Sequence, residues 1–327
     1  MRAIVQDQYG QTDVLRLRPD APTPQLGEDD VLVRVHVAGI NAADWHLMTG
    51  EPYPVRLVMG LRRPRNPILG SDFSGVVEAV GPAVTGLAIG DEVMGEVERG
   101  TLADLVAVAS KHVVRKPKNL THEQAAAVPM GALTALQAVR DTGKLQPGQS
   151  VLVNGASSGV GIYAVQIAVA MGAKVTGVCS GRNVDMVRSL GATNVVDYTQ
   201  QDFVVTGERY DLIIDVISSR SIADFRKVLT DRGRYVLVGA ASAGKWFGMG
   251  RQAQVVLTSP FVRQTLKPML ASRKQADLQT IVDMVEAGQL TPVIERAYPF
   301  EQAADAIKHV QAGHARGKVV IHVIPQG

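Results

Sequence analysis

The residues with the clearest chemical capacity lie mid-chain, in Gly155-Ala156-Ser157-Ser158-Gly159-Val160-Gly161. An apolar run at residues 151–153 precedes them, a helix-compatible run follows, and a second apolar run comes at residues 175–178. Strand, tight turn and helix in that order offer backbone N–H groups and a helix N-terminus to a pyrophosphate. Aligned on G-x-G-x-x-G, the glycine positions fall on Ala156, Ser158 and Gly161, so only the last is kept. The order of elements therefore carries the expectation that Ala156, Ser157, Ser158, Gly159, Val160 and Gly161 bind a dinucleotide. The plainer alternative is an ordinary strand-to-helix turn of small residues.

Cofactor choice is read at the end of the second strand, where an acid would accept hydrogen bonds from the ribose hydroxyls of NAD. That end reads Cys179-Ser180-Gly181-Arg182-Asn183, without an acid. Ser180 and Arg182 suit a 2′-phosphate, the guanidinium by planar charge-assisted contacts. Tyr198, after the third strand, is placed to reach the same group. The expected cofactor is NADPH; the alternative for Arg182 is a solvated surface charge.

A metal site finds little material. Cys179 is the single cysteine, and the seven histidines (His36, His46, His112, His122, His309, His314, His322) include no i, i+4 pair. One cysteine also excludes an internal disulfide and fits a reducing compartment.

The elements that must position these groups fall into two regions. Residues 31–37, 75–80 and 103–108 have strand character and are separated by turn signals, which predicts a β-rich domain. From residue 121 helical and apolar strand patterns alternate. Helices are predicted at 123–140, 160–171, 184–190 and 222–229, with strands at 150–154, 175–179, 194–197, 212–216 and 234–238. This alternation predicts an α/β fold with a covered parallel sheet. Two helices (277–287, 300–311) and a strand (318–323) follow.

The chain has 327 residues, 46% hydrophobic and 20% charged, with a formal charge of +3. These values suit a two-domain globular protein and give no basic stripe for nucleic acid. No run reaches membrane-spanning length and the start lacks an apolar signal core, so the expected location is cytoplasmic.

At this point the chain resembles the medium-chain dehydrogenase/reductase superfamily, in its zinc-free quinone oxidoreductase-like branch. The resemblance rests on Ala38-Gly39-Ile40-Asn41-Ala42-Ala43-Asp44, on Pro67-Ile68-Leu69-Gly70-Ser71-Asp72-Phe73-Ser74-Gly75, and on Gly90-Asp91-Glu92-Val93. It continues through Ala125-Ala126-Ala127-Val128-Pro129, the glycine turn, Leu190-Gly191-Ala192 and Gly317-Lys318-Val319-Val320-Ile321. It implies a GroES-like β-rich catalytic domain from both chain ends (residues 1–122 and 272–327) and a Rossmann cofactor domain between them (residues 123–271), with substrate in the cleft. Zinc-dependent relatives carry ligands where this chain has Asn41, Ser71-Asp72 and Met130, and those types do not make a three-ligand zinc set.

The resemblance implies that Asn41 and Thr134 flank the nicotinamide and the substrate oxygen, and that Gly239, Ala240 and Lys318 belong to the cofactor site. Asn41 either donates an amide N–H to the substrate oxygen or satisfies local backbone as a turn residue. Asp44 is read as a structural cap. Tyr53 is the tyrosine best placed for proton donation, or else a pocket wall. Trp45, Met48, Trp246, Phe247 and Phe261 are candidate walls or core residues. Residues 56–65, with four arginines among Leu57, Val58, Met59 and Leu61, form either a lid for an anionic or lipid-like substrate or a solvated basic loop.

Without zinc to polarise a carbonyl, the expected reaction is NADPH-dependent reduction of an already electron-poor small molecule, a quinone or an α,β-unsaturated or activated carbonyl. Reduction of enoyl thioesters and a non-catalytic NADPH-binding role are the competing expectations. A homodimer is expected, and residues 255–257 with 261–262 suit either a sheet-edge contact or a buried strand.

Overall fold

The computed structural model of the protein describes residues 1–51, 53–238, 249–313 and 315–324. Gly239, Ala240, Trp246, Phe247 and His314 lie outside the described residues. The chain forms two units: Met1–Gly131 with Arg273–Gly288 and Pro292–Gly327, and Ala132–Ser272 with Gln289–Thr291.

The first unit is built on Asp30–Ile40, in which Val31, Val33 and Val35 are fully buried while Arg34 is exposed, the period of two that a one-sided strand requires. A seven-stranded sheet grows around it. Its path runs Ile294–Pro299, Lys318–His322, Asp30–Ile40, Asp72–Val80, Glu92–Glu96 and Val113–Arg115, and Leu105–Ala109 also pairs with Asp30–Ile40. The register decides the site. Val319 pairs with Ile40, Gly39 with Asp72, and Asp72 with Glu96. The neighbouring ends of four strands thus bring Lys318, Asn41, Asp72 and Glu96 to one place. Phe73, Leu69 and Met48 fill the core beneath, and the helix Ala303–Gln311 closes it with Ala303, Ala306 and Ile307.

The second unit is a six-stranded parallel sheet. Its order is Asn194–Asp197, Lys174–Cys179, Ser150–Asn154, Tyr210–Asp215, Leu229–Leu237 and Thr265–Pro268. Counted along the chain this is 3-2-1-4-5-6, the order of a dinucleotide-binding sheet, and it reverses between Ser150–Asn154 and Tyr210–Asp215. Leu152, Ile213, Tyr235 and Phe225 pack its core.

Three segments differ from expectation. The helix predicted over 123–140 is His122–Ala126, then Pro129–Leu136, then a widened π turn at Gln137–Thr142. Pro129 has no N–H to continue the first helix and instead starts the second. Residues 255–257 are neither edge nor buried strand but part of the helix Met249–Thr258, with Val255 buried and Val256 and Leu257 exposed. The sheet edges are instead Thr265–Pro268 and Asn194–Asp197. The basic stretch contains the short helix Val55–Met59, which leaves Leu57, Val58 and Leu61 exposed. Arg56 ties it down, donating to the carbonyls of Gly50 and Thr49 at 2.9 and 3.2 Å. Among the described residues no helix is long and apolar enough to cross a membrane.

Candidate active site

The glycine turn closes the strand Ser150–Asn154 in the second unit. The N–H groups of Gly155 and Ala156 both donate to the Val178 carbonyl, at 3.1 and 3.0 Å, which folds the turn back onto the second strand. Gly155 has φ +88°, a conformation glycine adopts freely. Gly161 opens the helix Gly161–Ala170, and a Cβ there would lie 2.0 Å from the Gly155 carbonyl oxygen. Its missing side chain is what lets the helix start against the strand. Ala156 is fully buried, while Ser157, Ser158, Gly159 and Val160 are half-buried along the rim. The Ser158 hydroxyl accepts from the Gly161 N–H at 3.0 Å.

In the sequence Asn183 closes the run Cys179-Ser180-Gly181-Arg182-Asn183 and carries no expected role. In the fold it cross-braces the site. Its Nδ2 donates to the hydroxyls of Ser157 and Ser180 at 3.0 and 3.3 Å, while its buried Oδ1 has no hydrogen-bond partner. A buried acceptor left without a partner, beside a turn only a glycine can close, fits a bound polar ligand. Arg182 is exposed in the turn Gly181–Asn183, and Tyr198 is exposed with its N–H donated to the Cys179 carbonyl at 3.1 Å. Burial pushes the Cys179 thiol up to about 11, so this cysteine packs rather than reacts. One acid does stand close by. Asp197 ends the third strand, and a Cβ on Gly181 would lie 2.6 Å from its Oδ2.

A buried network underlies the same strand ends. Asn154 donates to Asp215 Oδ1 at 2.7 Å, and the Tyr235 hydroxyl donates to Asp215 Oδ2 at 2.5 Å. Arg251 donates to that carboxylate and to the Tyr235 oxygen, both at 3.1 Å. The network fixes the mouth of the sheet at the point where its strand order reverses. Burial and the Asp215 charge together push the Tyr235 phenol far above its ordinary range, so it stays protonated.

In the first unit Asn41 precedes the helix Ala42–Thr49 and Asp44 returns a carboxylate to its N–H at 2.7 Å, which makes Asp44 the cap expected of it. The Asn41 amide faces inward. Its Nδ2 donates to Asp72 at 2.9 Å and its Oδ1 accepts from the Lys318 ammonium. Lys318 also stands 3.5 Å from Asp72, whose second oxygen accepts from the Met130 N–H at 3.0 Å. Ser71 donates to Asp44 at 2.9 Å. Three carboxylates thus surround one ammonium. Burial pushes the Asp44 carboxyl up to about 6, opposed by the Asn41 N–H and Ser71. Burial, followed by the Asp72 charge, pushes Glu96 up to about 8, so near neutrality Glu96 holds a proton.

The structure thus joins Asn41 to Lys318, and Ser157 to Ser180. Lys318, which the resemblance assigns to the cofactor site, is only 2% exposed along its side chain and sets its ammonium against Asp72 and Asn41. Thr134 is half-buried in Pro129–Leu136 and falls in the second unit. Tyr53 is exposed with the Arg56 guanidinium 4.9 Å over its ring. Met48 is fully buried and Trp45 packs on the same core, so both serve the interior. Phe261 is 88% exposed and lines no core.

Among the described residues no group of three His, Cys, Asp or Glu side chains could hold a metal ion. A Ser-His-Glu line does occur, with Ser74 Oγ 2.8 Å from His122 Nδ1 and His122 Nε2 3.1 Å from Glu92. Ser74 is fully buried and its hydroxyl donates to the Val93 carbonyl, so it is no nucleophile.

Comparison with known proteins agrees with this architecture. A family model described as alcohol dehydrogenase GroES-like domain matches residues 27–118, and one described as zinc-binding dehydrogenase matches residues 190–321. The chain is 34% identical to NAD(P)H oxidoreductase RTN4IP1, mitochondrial, of Mus musculus, over 99% of this chain and 89% of that protein. It is 32% identical to 2-methylene-furan-3-one reductase of Solanum lycopersicum, over 99% and 80%. Among solved structures it is similar to the quinone oxidoreductase from Coxiella burnetii, with a TM-score of 0.86 and 29% identity over 99% of both chains.

Proposed function

The chain belongs to the medium-chain dehydrogenase/reductase family, and we propose that within it this protein is an NADPH-dependent reductase of quinones and of α,β-unsaturated or otherwise activated carbonyls, working without zinc. The observation that carries this reading is the donor set at the acceptor end. Asn41, Ser71 and Met130 stand where zinc-dependent relatives hold ligands, and Asp72 is committed to Lys318, Asn41 and the Met130 N–H. No thiolate or imidazole is offered there, and such a set does not fit a catalytic zinc.

NADPH, when bound, supplies a hydride from its nicotinamide. The chain's own contribution is to bind and to polarise. The turn 155–161 and the N-terminus of Gly161–Ala170 receive the pyrophosphate. Ser180, Arg182 and Tyr198 meet the 2′-phosphate, with charge-assisted bonds from Arg182 outweighing the Asp197 carboxylate nearby. Asn41 donates an amide N–H to the acceptor oxygen as negative charge develops on it. Water delivers the proton, and the exposed Tyr53, with the Arg56 guanidinium over its ring, serves as a wall. We further propose a homodimer through Thr265–Pro268, an edge strand flanked by the exposed Phe261 and Leu270.

The test follows NADPH oxidation against quinones, enones, aldehydes and enoyl thioesters, with and without chelator. Turnover of quinones and enones at a rate chelation leaves unchanged is expected. Stoichiometric zinc whose removal abolishes activity would overturn the zinc-free reading. Faster turnover of thioesters would make the protein an enoyl reductase, and tight NADPH binding with no turnover would make it a binding protein.

A further inference from the structure

Lys318 and Asp72 decide between them which way the Asn41 side chain points. An ammonium has three donors and no acceptor, so the atom of Asn41 against Lys318 Nζ must be Oδ1. The atom 2.9 Å from Asp72 is then Nδ2, and a carboxylate accepts from it. Neither contact survives rotation of the amide by half a turn, which would set N–H against ammonium and oxygen against carboxylate. One Nδ2 hydrogen is spent on Asp72. The other has no partner among the described residues. Of Asn41, Asp44, Ser71, Asp72 and Lys318, Asn41 is also the most exposed, at 8% against 0–2% for the rest. Of the residues that hold this amide, Asn41 is therefore the one closest to the surface of the unit, beside the half-buried Glu96 of the same cluster.

We propose that Lys318 is a positioning residue for carbonyl reduction: its buried ammonium locks the Asn41 amide oxygen inward, so that the remaining amide N–H is held outward as the donor to the acceptor oxygen. The proposal rests on the carbonyl-reducing reading above. A cation on Oδ1 also draws charge from the amide nitrogen and strengthens the outward N–H as a donor. A fixed charge thus acts on the acceptor through one amide bond, at the end of the sheet where zinc-dependent relatives set their metal ligands.

Lys318→Met alone strands a buried carboxylate, so the variant to use is Lys318→Met with Asp72→Asn, which keeps the buried charge balanced. Three measurements are made on the full chain. NADPH affinity is read by cofactor fluorescence without acceptor and should stay within twofold of wild type. Enone reduction should lose roughly 10- to 100-fold in kcat with KM within threefold. Asn41→Ala should cost about the same and, added to the double variant, nothing more, because both act through one amide. Losses that multiply would overturn the proposal, as would an unchanged kcat in the double variant. A tenfold weaker NADPH complex at unchanged kcat would make Lys318 a cofactor ligand instead. A fourth readout needs no turnover. In wild type the two Asn41 side-chain amide protons should exchange with solvent at rates at least tenfold apart, and in the double variant at similar rates. Similar rates in wild type refute the lock even if no acceptor in the panel is reduced, whereas separated rates with no turnover refute the carbonyl-reducing reading and leave the lock standing.

Discussion

Replacing Glu96 with glutamine should stabilise the protein, and by more as pH rises. Glu96 ends the strand Glu92–Glu96 directly beside Asp72, with Asp44 close by and with Arg273 and then Lys318 as the opposing cations. Its carboxyl titrates near 4.5 when unfolded and at about 8 in the fold, because burial and then the Asp72 charge disfavour its ionised form. A folded value raised above the unfolded one means that the fold binds this proton more tightly. The associated stability is complete below the unfolded value and drains away as pH rises toward the folded one. Each pH step inside that window costs about 1.4 kcal/mol in the limit of an isolated group. Asp72 and Lys318 answer to the same proton, so about half of that belongs to Glu96, or about 1–2 kcal/mol between roughly pH 5 and pH 7.5. Glutamine has the shape and neutrality of the protonated acid and avoids this loss. At about 2–4 °C per kcal/mol, Glu96→Gln should melt roughly 2–8 °C above wild type near pH 7.5 and close to it near pH 5. Thermal melts of both proteins across that range provide the assay. An equal difference at both ends, or a variant less stable at the higher pH, would show that Glu96 is not the proton holder of this cluster.

Gly161→Ala forces a Cβ against the backbone carbonyl of Gly155, which cannot swing aside. It should weaken NADPH binding at least tenfold and cost about 1–3 kcal/mol in denaturant melts, and a variant within threefold of wild type in affinity would show that the helix can retreat freely. Arg182→Ala should weaken NADPH by roughly 5- to 20-fold and leave NADH within twofold, by titration of each cofactor; equal losses for both would place the guanidinium away from the 2′-phosphate. Asp215→Asn leaves the Arg251 guanidinium facing a neutral amide and removes an acceptor from the Tyr235 hydroxyl. Arg251 is one-fifth exposed, so the cost should sit near about 2 kcal/mol, below that of a fully buried pair, and an unchanged denaturation midpoint would show that the network bears no load.

The cofactor half was legible because its parts lie close together in the chain. Strand, turn, helix and second strand occupy residues 150–179, and the pattern of apolar runs and small residues fixes their order whatever the rest of the molecule does. Even there the brace by Asn183 and the approach of Asp197 to Gly181 were hidden, since both depend on how the second and third strand ends meet. The helix expected through 123–140 and the strand expected at 255–257 failed for local reasons: a proline that ends one helix by starting another, and three apolar residues of which only Val255 finds the core.

Sequence alone determined the family and the two-part architecture, because the motifs and the order of apolar runs that carry them are properties of the chain. What Asn41 and Lys318 do to each other was decided only by tertiary structure. They lie 277 positions apart and meet because the strand Lys318–His322 pairs with Asp30–Ile40 in one register. Shift that register by a single residue and the lysine points to the other face of the sheet, so the charge that orients the amide exists only in the folded chain.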